Sequence, residues 1–477
     1  MESAMFAGCW LLAASLVLAT LASPHRLGAA AGEGSETKWH VVSVNSLLPS
    51  TVCTPTKAAP SSSALTVVHG HGPCSPQESR RGAPSHTEIL GRDQDRVDAI
   101  RRKVAAVTTA ASSSKPKGVP LQVGWGKYLD TTNYFTSLRL GTPATDLLVE
   151  LDTGSDQSWI QCKPCPDCYE QHEALFDPSK SSTYSDITCS SRECQELGSS
   201  HKHNCSSDKK CPYEITYADD SYTVGNLARD TLTLSPTDAV PGFVFGCGHN
   251  NAGSFGEIDG LLGLGRGKAS LSSQVAARYG AGFSYCLPSS PSATGYLSFS
   301  GAAAAAPTNA QFTEMVAGQH PSFYYLNLTG ITVAGRAIKV PPSVFATAAG
   351  TIIDSGTAFS CLPPSAYAAL RSSVRSAMGR YKRAPSSTIF DTCYDLTGHE
   401  TVRIPSVALV FADGATVHLH PSGVLYTWSN VSQTCLAFLP NPDDTSLGVL
   451  GNTQQRTLAV IYDVDNQKVG FGANGCA

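Results

Sequence analysis

The sequence is short of charge: Asp, Glu, Lys and Arg together make up 15% of 477 residues. With 42 Gly and 29 Pro, that composition excludes a highly charged disordered chain or a fibrous protein and suits a β-rich globular one with many turns. Long apolar runs are also missing. None after residue 25 could span a bilayer, and the C-terminus carries no lipid-anchor signal, so no membrane anchor is expected. The body has no basic stripe for phosphates, which argues against nucleic acid as a partner. Even the N-terminus lacks a positive n-region. Its stretch "MESAMFAGCWLLAASLVLATLASPH" nevertheless has a short apolar core, Trp10 to Leu21, followed by small residues. Residues 1–25 read as a secretory signal peptide cut near Ala22 to Ala31; the alternative, a membrane anchor, is disfavoured by the shortness of the run.

Cysteine, in contrast, is abundant. Sixteen cysteines fit the secretory route, where disulfides persist. Sequons at Asn204, Asn327 and Asn430 are compatible with it as glycosylation sites. The extracellular space is the expected location, with an intracellular compartment as the alternative. Charge is split along the chain: residues 1–117 carry 12 Lys and Arg against 8 Asp and Glu, and the remainder carries 22 against 30. A basic front and an acidic body suggest electrostatic complementarity, although two unrelated solvated surfaces would show the same split.

The front differs in texture from the rest. Ser50–Pro76 is rich in turn residues. "SHTEILGRDQDRVDAIRRKVAAV" reads as a basic amphipathic helix with Ile89, Leu90, Val97, Ile100 and Val104 at helical spacing. "TTAASSSKPKGVP" is a flexible linker of the kind that proteases nick. Residues 26–127 are therefore expected to form a prosegment and linker ending near Ser112 to Tyr134; a small accessory domain is the alternative.

From Tyr134 onward, short period-two runs alternate with Gly, Pro, Asn and Asp clusters, which predicts strands. Helical patterns are few: "SLSSQVAARYG" and "PPSAYAALRSSVRSAMGRYKR". A weak internal repeat runs through this body. "LLVELDTGSDQSW" and "TIIDSGTAFSCLP" share an apolar run, an Asp, and Gly flanked by Ser or Thr. Each is followed about a hundred residues later by an apolar pair and Gly, in "IDGLLGLGRG" and "LGVLGNTQQ". This suggests two homologous lobes, 128–310 and 311–477, contributing Asp152 and Asp354. A buried carboxylate is costly unless hydrogen-bonded. Two of them side by side share one proton, because like charges at close range cannot both ionise easily. Such a pair supplies a base to activate water and an acid to protonate a departing nitrogen, with no metal or cofactor. For either Asp alone, a turn after a strand is the plainer reading.

The ordered set of Asp-Thr-Gly-Ser, Trp159, a Tyr-containing flap, Asp-Ser-Gly-Thr and two apolar-apolar-Gly segments resembles the pepsin-type aspartic proteinases. "SWIQCKPCPDCYEQHEALFDPSKSSTYSDITCSSREC" resembles the cysteine-rich insertion (160–213) of the plant nepenthesin-like, or atypical, members. "FGCGHNNAGSFGEIDGLLGLGRG", "FSYCLPS" and "HGHGPCSP" look like the same family. The resemblance implies an all-β, bilobal fold with a cleft between the lobes. It also implies a monomeric aspartic endopeptidase with protein or peptide substrates, made as a zymogen inhibited by its own prosegment. Asp152 and Asp354 would be the catalytic pair. Ser155 and Thr357 would bond their outer oxygens, Thr153 and Ser355 would cross between lobes, and Gly154 and Gly356 would let the loops approach. Tyr217 would be the flap tyrosine and Trp159 its support; an ordinary strand aromatic is the alternative for Tyr217. Ala218 and Asp220 depart from the family's glycines there.

By spacing, "CKPCPDC" could hold a metal, but in a secreted chain with more cysteines nearby disulfides are favoured. The family's framework implies Cys162–Cys165, Cys168–Cys247, Cys189–Cys211, Cys194–Cys205, Cys286–Cys476 and Cys393–Cys435. Cys361 is left over, as a small buried residue or a redox switch. Cys53 and Cys74 are candidates to pair within the front segment. The competing function is a catalytically inactive relative that acts as a binding or inhibitor protein. Its typical mark is damage to one Asp motif, and both motifs here are intact.

Overall fold

The front of the chain is built into the sheets of the body. The structure is a computed structural model, and it describes residues 38–476 apart from 49, 57–63, 71, 77–85, 111–133, 197–208, 218–220, 236–237, 254, 300–305, 348, 388 and 428–429. The signal-peptide reading, the linker from residue 111, Asn204, Cys205, Ala218 and Asp220 lie outside the described residues. Strand β1 (Trp39–Ser43) pairs antiparallel with Thr401–Pro405. Strand β2 (Leu65–His69) lies between Thr294–Ser298 on one side and β3 (Tyr134–Leu140) on the other. The turn-rich reading of Ser50–Pro76 thus misses a strand. Its short apolar run is hidden among Ser and Pro residues, and partners distant in sequence make it a strand. Cys53–Cys74 closes this segment.

Helix α1 (His86–Ala110) matches the amphipathic pattern. Val97, Ile100 and Val104 recur at i, i+3 and i+7, so they share one face. All three are buried in a cluster with Phe323, Tyr325, Ile352, Ala358, Phe359 and Cys361. Burying each aliphatic side chain contributes at most about 1.5–3 kcal/mol. The side chains of Ile89 and Leu90 lie outside the described residues.

The body is mainly β, as expected, and centres on a 19-stranded sheet. Strand β4 (Thr145–Asp152) ends on the first aspartate, and β5 (Trp159–Gln161) follows. Strand β6 (Gly260–Gly263) runs parallel to β4, with Gly263 opposite Asp152, and antiparallel to β5. The second half repeats this arrangement with β7 (Thr351–Ile353), β8 (Ser360–Leu362) and β9 (Gly448–Leu450). Strand β9 runs parallel to β7, with Leu450 opposite Ile353, and meets β8 antiparallel at Val449 and Cys361. The internal repeat is thus a repeated crossing of three strands, and each crossing presents one Asp-containing loop. The two expected helical patterns form Leu271–Tyr279 and Pro364–Ala377. Among the described residues no helix is long and apolar enough to cross a membrane.

The cysteine framework differs from the family-derived pairing. Cys162 bonds Cys247 and Cys165 bonds Cys168, in place of Cys162–Cys165 and Cys168–Cys247. The reason is register. Strand β5 runs parallel to Asp238–Ala252 with Ile160 opposite Cys247, and the Cys162 N–H donates to the Gly248 carbonyl. That leaves the Cα atoms of Cys162 and Cys247 5.3 Å apart, within bridging range. Cys194 bonds Cys211, in place of Cys189–Cys211 and Cys194–Cys205. Here α2 (Arg192–Glu196) sets Cys194 over Cys211, with the Cα atoms 5.8 Å apart. Cys189 is also disulfide-bonded. Cys286–Cys476 and Cys393–Cys435 are present. Peptide mapping without reduction should recover Cys162 joined to Cys247 and Cys194 joined to Cys211; a Cys168–Cys247 product would refute the register of β5.

Candidate active site

Asp152 and Asp354 are both buried, at 1% and 0% exposure, so their polar contacts decide whether they are tolerated. Each is held in the same way. Ser155 Oγ donates to Asp152 Oδ2 at 2.5 Å and the Gly154 N–H to Asp152 Oδ1 at 2.8 Å. Thr357 Oγ1 donates to Asp354 Oδ2 at 2.6 Å and the Gly356 N–H to Asp354 Oδ1 at 3.1 Å. The loops are fastened to each other by the crossing hydroxyls. The Ser355 N–H donates to Thr153 Oγ1 at 2.8 Å, and the Thr153 N–H to Ser355 Oγ at 3.1 Å. Ser355 Oγ in turn donates to the Leu151 carbonyl at 3.0 Å. Close approach requires the two glycines: a Cβ on Gly154 would sit 2.8 Å from Asp354 Oδ1, and one on Gly356 2.8 Å from Asp152 Oδ1.

The short turn after β9 props up the second loop, a role the sequence reading did not assign. Asn452 Nδ2 donates to the Ser355 carbonyl at 3.0 Å, and Gln455 Nε2 donates to the Asp354 carbonyl at 3.2 Å. Gln455 is fixed from behind by Tyr285, whose hydroxyl also meets that of Tyr462 at 3.1 Å. The signal was available in "GNTQQ", where four polar residues follow a buried strand.

Tyr217 stands at the end of Pro212–Thr216, the first strand of a hairpin with Tyr222–Ser235. Trp159 Nε1 donates to its hydroxyl at 2.7 Å, and Phe255 meets its ring edge-on. The supporting role expected for Trp159 is therefore a direct hydrogen bond.

The largest surprise is what lies between the aspartates. Arg96 of α1 reaches both: Nη2 is 2.5 Å from Asp152 Oδ1 and 3.0 Å from Asp354 Oδ2, and Nε is 3.1 Å from Asp354 Oδ2. Burial by itself would raise the Asp152 carboxyl. The Arg96 guanidinium, the Ser155 hydroxyl and the Gly154 N–H outweigh it and hold the group below the usual carboxylate range. Asp93, one turn earlier on α1, accepts from the N–H groups of Ala358 and Phe359 just past the second loop. Burial pushes the Asp93 carboxyl up to about 7, against those donors and Arg96. Residues 93, 97, 100 and 104 share a helix face, so an Asp at an otherwise apolar position was the legible hint. Cys361 is the free cysteine among the described residues; burial pushes its thiol up to about 12, which suits the small-buried-residue reading rather than a redox switch. Asn327 and Asn430 are exposed.

One nitrogen, Arg96 Nη2, bonds both carboxylates, so the two groups face each other across a single atom's position, the arrangement that paired acid and base action on one water requires. Fold and paired loops define a pepsin-like protein. Residues 134–301 match the family model described as Xylanase inhibitor N-terminal, and residues 323–473 the one described as Xylanase inhibitor C-terminal. An aspartyl protease family protein of Arabidopsis thaliana is 44% identical over 93% of this chain and 94% of its own. The aspartic proteinase nepenthesin-2 of Nepenthes gracilis is 32% identical over 88% of this chain and 95% of its own. Among solved structures, basic 7S globulin from soybean superposes with a TM-score of 0.58 at 22% identity, covering 72% of this chain and 93% of the globulin, a likeness of fold. The chain belongs to the pepsin-like aspartic proteinase family, among its plant nepenthesin-like members. Replacing Ser355→Ala should cost about 1–3 kcal/mol, because it strips a buried N–H and a buried carbonyl of their partner; the denaturant midpoint measures it.

Proposed function

We propose that this protein is a secreted aspartic endopeptidase made as a zymogen, with residues 26–127 as prosegment and linker and α1 as the inhibitory element. The observation that carries the reading is Arg96 lying between two fully hydrogen-bonded aspartates. In the active enzyme, water takes the position of the guanidinium. One carboxylate accepts the water proton as the oxygen attacks the peptide carbonyl, while the protonated partner donates to the carbonyl oxygen. Collapse of the gem-diol then returns a proton to the departing nitrogen, as is general for aspartic proteinases. Exposed Asn327 and Asn430 are available for glycosylation in the secretory route. The alternative, an inactive binding or inhibitor protein, draws support from the matching family models, which are named for xylanase inhibitors. Both intact, mutually fastened loops favour the enzyme.

Acid acts on α1 in two directions. The Asp152 pKa is depressed while α1 is docked, so the Arg96 contribution is complete above the usual carboxyl range and is lost as pH falls through the depressed value. The Asp93 pKa is raised by docking, so this group favours the docked helix more strongly as pH falls below about 7. Release therefore waits until Asp152 itself takes up a proton. The full chain should gain activity on an unfolded protein substrate only below about pH 4, the unperturbed Asp range. Arg96→Gln should move that threshold upward by at least a unit. Asp152→Asn and Asp354→Asn should each abolish the activity, and activity surviving either substitution would refute the paired-carboxylate assignment.

A further inference from the structure

Beside the aspartates lies a pocket of about 920 Å³ that the proposed mechanism does not use. It begins at Gly154 and Ser155. Asp156 and Gln157 line it from the loop after β4, Glu214 from the strand that leads to Tyr217, and Glu193 and Glu196 from α2. Helix α2 is pinned there by Cys194–Cys211. The carboxylates are not equally satisfied. Glu196 is paired with Arg192 at 2.8 Å and Lys268 at 3.1 Å, and Glu193 with Arg229. Asp156 accepts from the Gly267 N–H at 2.8 Å and from Ser322 Oγ at 2.5 Å, yet no described basic side chain lies within ion-pair distance of it or of Glu214.

A second observation points to what fits there. Lys103 of α1 also lines the pocket, and it is largely enclosed. Among the described residues its ammonium has no hydrogen-bond or ion-pair partner. Burial pushes its pKa down, against the attraction of Asp152, Asp156 and Asp354. An enclosed ammonium without a direct partner is unfavourable unless surrounding negative charge offsets it. Lys103 follows Arg96 by seven residues, so the two share a helix face about 10 Å apart along the axis. That distance is spanned by about three residues of an extended peptide.

We propose that this pocket is a subsite for a Lys or Arg side chain of the substrate, two or three residues from the scissile bond, and that Lys103 occupies it in the full chain. The assignment rests on the endopeptidase reading and adds to it the chemical class of one substrate position. Asp156 and Glu214 are the residues left to recognise the cation, because Glu193 and Glu196 already have theirs. The α1 helix thereby fills the cleft with two cations, one at the reacting centre and one at the subsite.

Two measurements test it. The full chain, activated in acid until the prosegment is cleaved off and then assayed at about pH 5, where free Asp and Glu side chains are ionised, is given peptides that differ only in Lys, Leu or Glu at each position around one cleavable bond. Lys should exceed Leu by about fivefold in kcat/KM, as expected for one partly exposed charge pair, at a single position two or three residues from that bond. Glu214→Lys should reverse the order in favour of Glu. Equal rates for the three peptides at every position, or an order unchanged by Glu214→Lys, overturn the proposal. The second measurement needs no catalysis. Cys361 shares a buried cluster with Val97, Ile100 and Val104, so its labelling by a thiol reagent at pH 7 reports loosening of α1. Lys103→Glu should label several-fold faster than Lys103→Met in the intact chain, and equal rates overturn the acidic pocket. If peptide cleavage is absent but the labelling difference is present, the endopeptidase reading fails while the cation pocket stands.

Discussion

Everything in this molecule answers to the burial of two carboxyl groups next to each other. Water would hydrate them separately; the protein must supply the hydrogen bonds instead. Ser155 and Gly154 do so for Asp152, and Thr357 and Gly356 for Asp354. The loops must also be held together against their own repulsion. The crossing bonds of Thr153 and Ser355 meet that need, with Asn452 and Gln455 bracing the second loop from below. Glycine at 154 and 356 is then a steric necessity, since a methyl group there would touch the opposite carboxylate.

The same concentration of negative charge dictates what binds. Arg96 is buried with the pair, and it compensates charge that the loops alone leave in place. Its helix is anchored by unrelated forces at other points: an apolar face on the second half of the body, and Asp93 bound to two backbone N–H groups. Attachment therefore does not depend on charge alone, and the proton linkages of Asp93 and Asp152 oppose one another. On the proposed zymogen reading, a helix held in this way stays docked through mildly acidic conditions and leaves once Asp152 is protonated. The pocket beyond Ser155 extends the same electrostatic logic two helical turns along α1, where the wall is acidic and the helix again presents a cation.

The two aspartates, their hydroxyl partners, the glycines and the strand-rich body were legible because they are local. An apolar run ending in Asp-Thr-Gly-Ser or Asp-Ser-Gly-Thr carries its own meaning within a few residues, and period-two alternation marks strands wherever they pair. The apolar face of α1 was legible for the same reason. Strand β2 was not, since five residues amid Ser and Pro become a strand only between Thr294–Ser298 and β3. Arg96 was visible only as one charge in a basic helix. Its partners lie far along the chain, and no spacing rule connects them.

Disulfide pairing marks the same division. The number of cysteines was a property of the sequence and the surplus of Cys361 was implied by the family resemblance, whereas the choice of Cys247 for Cys162 followed from the register of two parallel strands. The sequence by itself determined the chemical groups, the loops that bear them and the secondary structure around them, because those depend on near neighbours. Tertiary structure decided which groups meet: aspartate with aspartate across two homologous halves, arginine with both, and lysine with an acidic pocket. Charge and hydrogen bonding act across space, and only the fold sets those distances.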